Sequence, residues 1–576
     1  MKCPIKRCNN AILSLQCALL MAWMIPADMA HSESLTLRKD VSQEQVTGKF
    51  KPGSHVIAYL PNLPYISTSH SINAGLTKPS YDGKGWEYDL AVSHKIIDRK
   101  TYEFELRKGV RFQDGTPFDA DSVVMNMEYF KKEPYTFSKM DTIFDRVEKL
   151  SSHRVRFHLK EDYGFFMHDT IWLLFYSEKY LKKHGWNGKP FCPNLAEAGP
   201  YGLGPYILNK GYIEADRHTP TAELIANPYY WGEDAPKVEK ITVIIDIESQ
   251  EALDLIQNSE GKLDLMPIPF SDELPTILSQ HAKLVRSPSN NNYVAKFNLI
   301  SGHPLLQVRE VREALNRAID QQALINLSMN GEGVLTPISL GERFYGVKEA
   351  SRNIATFSEL NSPLDEDVRQ ELIQIIKKHQ KRLGYDPNEK LPITILAPKS
   401  TQFMFRDVKY LLDQIHIDVN LHIVEKEADV FANVVTTNAR KNDIYYDIIA
   451  WANFDWIMNP WDLFFVMRPG NIWTSFTDDP KMESLLDEFL ATPSEDASYI
   501  PVMTELIEYV YYQGYTLFLP SPNHVMAVNK EVFFVPSPTA IYPLWDIEVT
   551  DMHWSLREGE YPEHLKVPVE ITTYHQ

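Results

Sequence analysis

At 576 residues the chain is too long for one compact core, and its length fits about two to four domains. Hydrophobic residues make up 44% and charged residues 23%, ordinary proportions for a soluble globular protein. The formal net charge of −19 argues against nucleic acid, whose phosphates call for a basic face, and aromatics at 12% suit a protein that stacks against a partner.

Lys2, Lys6 and Arg7 form a basic head before the apolar run AILSLQCALLMAWMI, Ala11 to Ile25. The run is short, lies at the N-terminus and is followed at once by polar residues, the pattern of a secretory signal peptide. Cleavage after Ala27 or Ala30 fits, so residues 1–30 are expected to be a leader and the remainder to be exported to the periplasm. Cys3, Cys8 and Cys17 fall within the leader, which leaves Cys192 alone and no intramolecular disulfide to form. LSLQC, ending at Cys17, faintly resembles a lipoprotein processing site, but Gln16 is too large before such a cysteine, which argues against a lipid anchor. No later run approaches the roughly 20 apolar residues of a membrane span.

TYEFELRKGV (Thr101 to Val110) alternates Tyr102, Phe104 and Leu106 with charged residues, which predicts a half-exposed strand. Asp114-Gly115 and Pro117 make a turn, and Asp119 or Asp121 can cap a helix running to Phe130. RVRFHL (Arg154 to Leu159) and KITVIIDI (Lys240 to Ile247) read as strands, and SQEALDLIQNSEGKLDLMPIP as a helix, a Gly261 stop and a short strand. REVREALNRAIDQQALINLSM (Arg309 to Met329) predicts one long amphipathic helix, with Val311, Leu315, Ala318 and Ile319 on the inner face and Arg312 and Arg317 off it. DEDVRQELIQIIKKHQKRLGY (helix), LPITILA (strand), RDVKYLLDQIHI (helix), DVNLHIVEK (strand) and YYDIIAWA (strand) follow. This alternation predicts an α/β layer with a largely parallel sheet, in which ligands gather beyond the carboxyl ends of the strands. WANFDWIMNPW, Trp451 to Trp461, occupies that position. From about Asp551 the chain is polar and reads as a loosely packed extension.

LRKGVRFQDGTPFDADSVVMNMEYF (Leu106 to Phe130) resembles the signature of the peptide-binding family of solute-binding proteins, the extracytoplasmic receptors of ABC importers for dipeptides, oligopeptides, nickel complexes and related solutes. LGPYIL, NPYYWGEDAPKVEKITVIIDI, NNYVAKFNLISGHPLLQVREVREALNRAIDQQALI, YDIIAWANFDWIMNPWDLFF and LFLPSPNHVMAVNKEVFFV resemble later segments of that family, in the same order. The resemblance implies a bilobal periplasmic-binding-protein-like α/β fold, two lobes joined by a hinge, with an extra subdomain inserted in the first lobe. On this reading the first lobe is 37–75, 205–297 and 525–576, the insert 76–204 and the second lobe 298–524. It also implies a monomer that closes over a small solute or peptide, excludes water from it, and delivers it to transmembrane permease subunits.

Asp455 matches the family's loop carboxylate, which commonly pairs with a ligand's α-amino group through charge-assisted hydrogen bonds. Trp451, Phe454 and Trp456 can supply apolar walls or cation–π faces, with Trp461 read as support. Asn453 can lend backbone groups to an extended peptide, and it shares a strand face with Trp451. The alternative for Trp451 is a place in the lobe core. Arg343, in a Gly-containing loop, can meet a ligand carboxylate. The loop departs from the family pattern of Asp, short spacer and acid-Pro, because Trp456-Ile457-Met458 leads to Asn459-Pro460. A metal-complex binder of the family often has His after the proline, where this chain has Trp461.

His416, Asp418, Asn420 and His422 alternate along one strand face, without a third convergent ligand, so a solvated edge is the preferred reading over a metal site. There is no HExxH, CxxC, GxSxG or phosphate-loop sequence, and a hydrolase centred on Asp455 would need a second acid, base or metal. A non-catalytic receptor without cofactor or metal is therefore expected. Its solute is expected to be a peptide, with a metal complex, an opine-like compound or an oligosaccharide as alternatives.

Overall fold

A computed structural model describes residues 50–573 apart from 62, 81–84, 133–139, 187–196, 215–216, 233–235, 259, 269–279, 342, 361–364, 438, 454, 456–466, 470–472, 476–477 and 567–571. The expected leader, residues 1–30, and Cys192 lie outside the described residues. The chain divides into two compact units, one drawn from Met1–Pro269, Thr276–Ser287 and His524–Gln576 and the other from Phe270–Pro275 and Pro288–Asn523.

In the first unit, strand Lys51–Tyr59 runs parallel to Val238–Ile244, which pairs antiparallel with Thr221–Ala226, and that strand with Tyr206–Lys210. The apolar run of KITVII is what this central position demands, and Val238, Ile241 and Val243 are fully buried. A separate antiparallel sheet follows the order Ala91–Asp98, Thr101–Leu106, Arg154–Leu159, Phe144–Ser151. Tyr102, Phe104 and Leu106 are buried as expected, but Glu103 on the other face is buried too, its carboxylate accepting from Arg154 and Arg156 at 2.9 Å. The helix Ala120–Lys132 starts at Asp119, whose Oδ1 accepts the Ser122 N–H at 3.1 Å.

The C-terminal stretch differs from its expected looseness. Asp264 is completely buried, and its carboxylate accepts from the Ile57 N–H, Asn529 Nδ2 and Trp554 Nε1, each at 2.9 Å. A buried carboxylate requires such donors, and Trp554, beyond Asp551, supplies one of them. His553 is fully buried beside Asp264, and Arg557 holds Glu260 with both terminal nitrogens at 2.5 Å.

The second unit has a four-stranded sheet in the order Asn292–Phe297, Ile448–Asn453, Leu391–Pro398, Ile417–Val424. The last three strands are mutually parallel and the first is antiparallel to its neighbour. Helices Gln402–Leu412 and Glu427–Thr437 follow the Leu391–Pro398 and Ile417–Val424 strands, as the alternating pattern requires. The long helix expected over 309–329 is two helices, Arg309–Arg317 and Gln321–Ser328. Asp320 breaks it by capping the second, its Oδ1 accepting the Ala323 N–H at 2.9 Å. Arg312 is not off the inner face. It is 4% exposed, and its guanidinium donates to the carbonyls of Leu306 (2.8 Å), Gln307, Gln513 and Gly514. A guanidinium can be buried where its fan of donors meets backbone acceptors, and hydropathy patterning does not register that.

Candidate functional site

Parallel pairing brings the carboxyl ends of Leu391–Pro398, Ile417–Val424 and Ile448–Asn453 to one edge of the second unit's sheet. The antiparallel strand sets Asn292 opposite Asn453, so the start of that strand lies at the same edge. The preceding residues, Ser289 to Asn291, therefore arrive beside the chain that leaves Asn453. Asp455 is there, with no solvent exposure, and its Oδ2 accepts a hydrogen bond of 2.8 Å from Asn290 Nδ2.

The backing of Asn290 is tightly specified. Ser289 Oγ donates to the Pro522 carbonyl at 2.6 Å and accepts from the Asn291 N–H, while Ser521 Oγ donates to the Asn291 carbonyl at 2.5 Å. Asn292 Nδ2 donates to the Ser339 carbonyl at 2.9 Å, and Ser339 Oγ donates to the Leu517 carbonyl at 2.9 Å. The Ser339 loop then passes Asn290 at Gly341. A Cβ on Gly341 would stand 3.1 Å from Asn290 Cα and 3.2 Å from the Ser289 carbonyl oxygen. Glycine thus permits a close backbone approach, two residues before Arg343, which is partly exposed.

Trp451 is 3% exposed and belongs to the unit's core, with Val294, Leu396, Val424, Val430, Val434, Tyr446 and Ile449. Phe431 and Trp473 meet its ring edge-on and tilted at 5.9 and 6.4 Å. The structure thus places its ring in the lobe core, the second of the two alternatives. Asn453 is half-buried. Phe454, Trp456, Trp461 and the spacer between them lie outside the described residues. The fold thus brings Asp455, Asn453 and the loop of Arg343 to one region, and sets Trp451 into the packing behind it.

The sequence reading missed Asn290 and Gly341. The only local signal was SNNNY, a run of amides before an apolar strand, and nothing in it names a partner 165 residues away. Asp447, in the same segment, is held differently. It sits before the strand Ile448–Asn453, with Oδ1 accepting from the His303 N–H (2.6 Å) and Tyr445 Oη (2.7 Å) and Oδ2 from the Thr394 N–H (2.8 Å). Backbone donors tie it to two other chain segments, and Tyr445 to its own, at the amino end of the strand.

Asp418, Asn420 and His422 are exposed along the edge strand, and among the described residues no three His, Cys, Asp or Glu side chains converge as metal ligands. Among the described residues no helix is long and apolar enough to cross a membrane.

A mixed α/β architecture with parallel strands sets Asp455 where ligands of such sheets gather. The chain belongs to the bacterial extracellular solute-binding proteins, family 5, whose "Middle" region matches residues 85–475. This is a family of non-catalytic solute-binding proteins. The chain is 28% identical over 263 residues to the di/tripeptide-binding protein 3 of Pseudomonas aeruginosa (strain UCBPP-PA14), covering 41% of this chain and 46% of that protein. It spans about half the length of the curated relatives it matches. Its fold is similar to that of NikA from Brucella suis, solved in complex with Fe(III)-EDTA, with a TM-score of 0.68 and 17% identity over 86% of this chain and 100% of that one. It is also similar to the dipeptide-binding protein of Pseudoalteromonas sp. SM9913, solved with Met-Leu, with a TM-score of 0.64 and 19% identity over 86% and 100%. The expected bilobal α/β binding-protein fold is thereby shown.

Proposed function

We propose that this chain is the extracytoplasmic receptor of an ABC importer, which captures a small peptide and delivers it to transmembrane permease subunits. The observation that carries this reading is Asp455, a fully buried carboxylate beyond the carboxyl end of Ile448–Asn453, oriented by Asn290 at 2.8 Å. A carboxylate held in that place is suited to receive an ammonium group, and burial strengthens the pair. Arg343, on the loop that abuts Asn290, is the residue assigned to a ligand carboxylate, and Asn453 offers strand-edge backbone groups. Residues 76–204 are read as the inserted subdomain, in keeping with the separate antiparallel sheet found there. The peptide-binding relative and the Met-Leu complex support the same solute class.

A metal chelate is the second reading, favoured by the likeness to the Fe(III)-EDTA complex. Native mass spectrometry of the purified protein, before and after mild unfolding, tests both by weighing any carried solute. A thermal-shift panel of dipeptides, tripeptides, metal chelates, opines and oligosaccharides follows. Stabilisation by chelates, opines or sugars and by no peptide would overturn the peptide assignment. Saturable turnover of a peptide or ester would overturn the receptor reading itself.

A further inference from the structure

We propose that Asn290 is a positioning residue for solute recognition, setting the rotamer of Asp455 so that its carboxylate meets a ligand ammonium. The proposal rests on the reading of Asp455 as that anchor. Its geometry is independent of it. Asn290 and Asp455 are both fully buried, and the bond between them joins two segments that pairing alone brings together. An amide donor is suited to this task. It satisfies one carboxylate oxygen and, being neutral, brings no charge of its own to the pair.

The support of Asn290 is itself rigid. Residues Ser289 and Asn291 on either side are tied to Pro522 and Ser521, and the Asn290 backbone lies against Gly341. Any side chain at position 341 presses on the Asn290 backbone, because the nearest atoms are main-chain atoms that cannot rotate away. Gly341 therefore links the Arg343 loop to the orientation of Asp455.

The test uses Met-Leu and N-acetyl-Met-Leu as probes, since acetylation removes the ammonium and little else. Dissociation constants are measured by calorimetry for the wild type, Asn290→Ala, Gly341→Ala, Asp455→Asn and the Asn290→Ala/Asp455→Asn double variant, each checked for native circular dichroism. Asn290→Ala is expected to weaken Met-Leu about tenfold, the scale of one hydrogen bond to a charged group, and to leave the acetylated probe nearly unchanged. Gly341→Ala displaces the amide without removing it and should show the same selectivity. The double variant should lose no more than Asp455→Asn alone. Equal losses for both probes, or a full additional loss in the double variant, overturn the proposal. If the wild type binds both probes equally, or neither, the anchor reading of Asp455 fails instead. The positioning role is then judged from thermal unfolding of the four ligand-free proteins of the cycle. Midpoint shifts that are less than additive uphold the Asn290–Asp455 coupling, and additive shifts overturn it.

Discussion

The Nζ of Lys296 lies 5.1 Å from the centre of the Trp451 ring, and both side chains are buried. They come from adjacent antiparallel strands, where Val294 pairs with Trp451 and Lys296 with Ile449. The electron-rich face of the indole offsets part of the cost of placing an ammonium in the interior. Trp451→Ala is therefore expected to cost about 3–5 kcal/mol, from the emptied core and the loss of this contact. Denaturant unfolding of the purified variant measures it. A loss below about 1 kcal/mol, in the range of surface substitutions, would contradict a core role.

Asp455→Asn keeps the shape of the side chain and removes its charge. It is expected to weaken an α-ammonium ligand by about 1.5–3 kcal/mol, roughly 10- to 150-fold, with little effect on a ligand lacking that group. Titration calorimetry with Met-Leu reads this directly. Unchanged affinity would remove Asp455 from the solute site.

His168 is 1% exposed, and burial holds its imidazole at about 3, well below the usual 6.5. The unfolded chain therefore binds the extra proton first. The stabilising effect of keeping this ring neutral is complete above about pH 6.5 and is lost as the pH falls toward 3. Compared with His168→Leu, the wild type should lose about 1.4 kcal/mol per pH unit across that window. Between pH 7 and pH 4 the unfolding midpoint of the wild type should fall further than that of the variant. Parallel curves would show that the folded and unfolded chains bind this proton alike, so that burial does not depress the ring.

Trp554 Nε1 is one of the donors that satisfy the buried Asp264. Trp554→Phe keeps an aromatic ring, though a smaller one, and removes the donor, so it should cost at least about 1–3 kcal/mol. Truncation before Asp551 should cost more, because His553 and the Arg557–Glu260 pair go with it. Both effects are visible as lowered thermal midpoints. A truncated chain as stable as the full one would restore the view of a loose extension.

Much of the architecture was legible in the chain because it is written in local periodicity. The alternation in TYEFEL and RVRFHL, the strand–helix repeat from Leu391 to Asn453 and the cap at Asp119 each depend on neighbours within a few residues. The ordered motifs likewise identified the family, and the expected strand before Asp455 is present as Ile448–Asn453. The break at Asp320 was the exception among local features. The apolar spacing continues through it, so the cap was masked by the pattern of the two helices it separates.

Composition, leader-like start, element order and family were thus determined by the sequence itself. Tertiary structure alone decided which polar side chains are buried and against what. Asn290 meets Asp455, Arg312 meets four carbonyls, and Trp554 meets Asp264 across 290 residues. Apolar burial is additive and repeats with the secondary structure, so a pattern of residues reports it. A buried polar group is stable only when particular donors and acceptors arrive at about 3 Å, and that convergence comes from strand register and chain crossing, which no local pattern encodes.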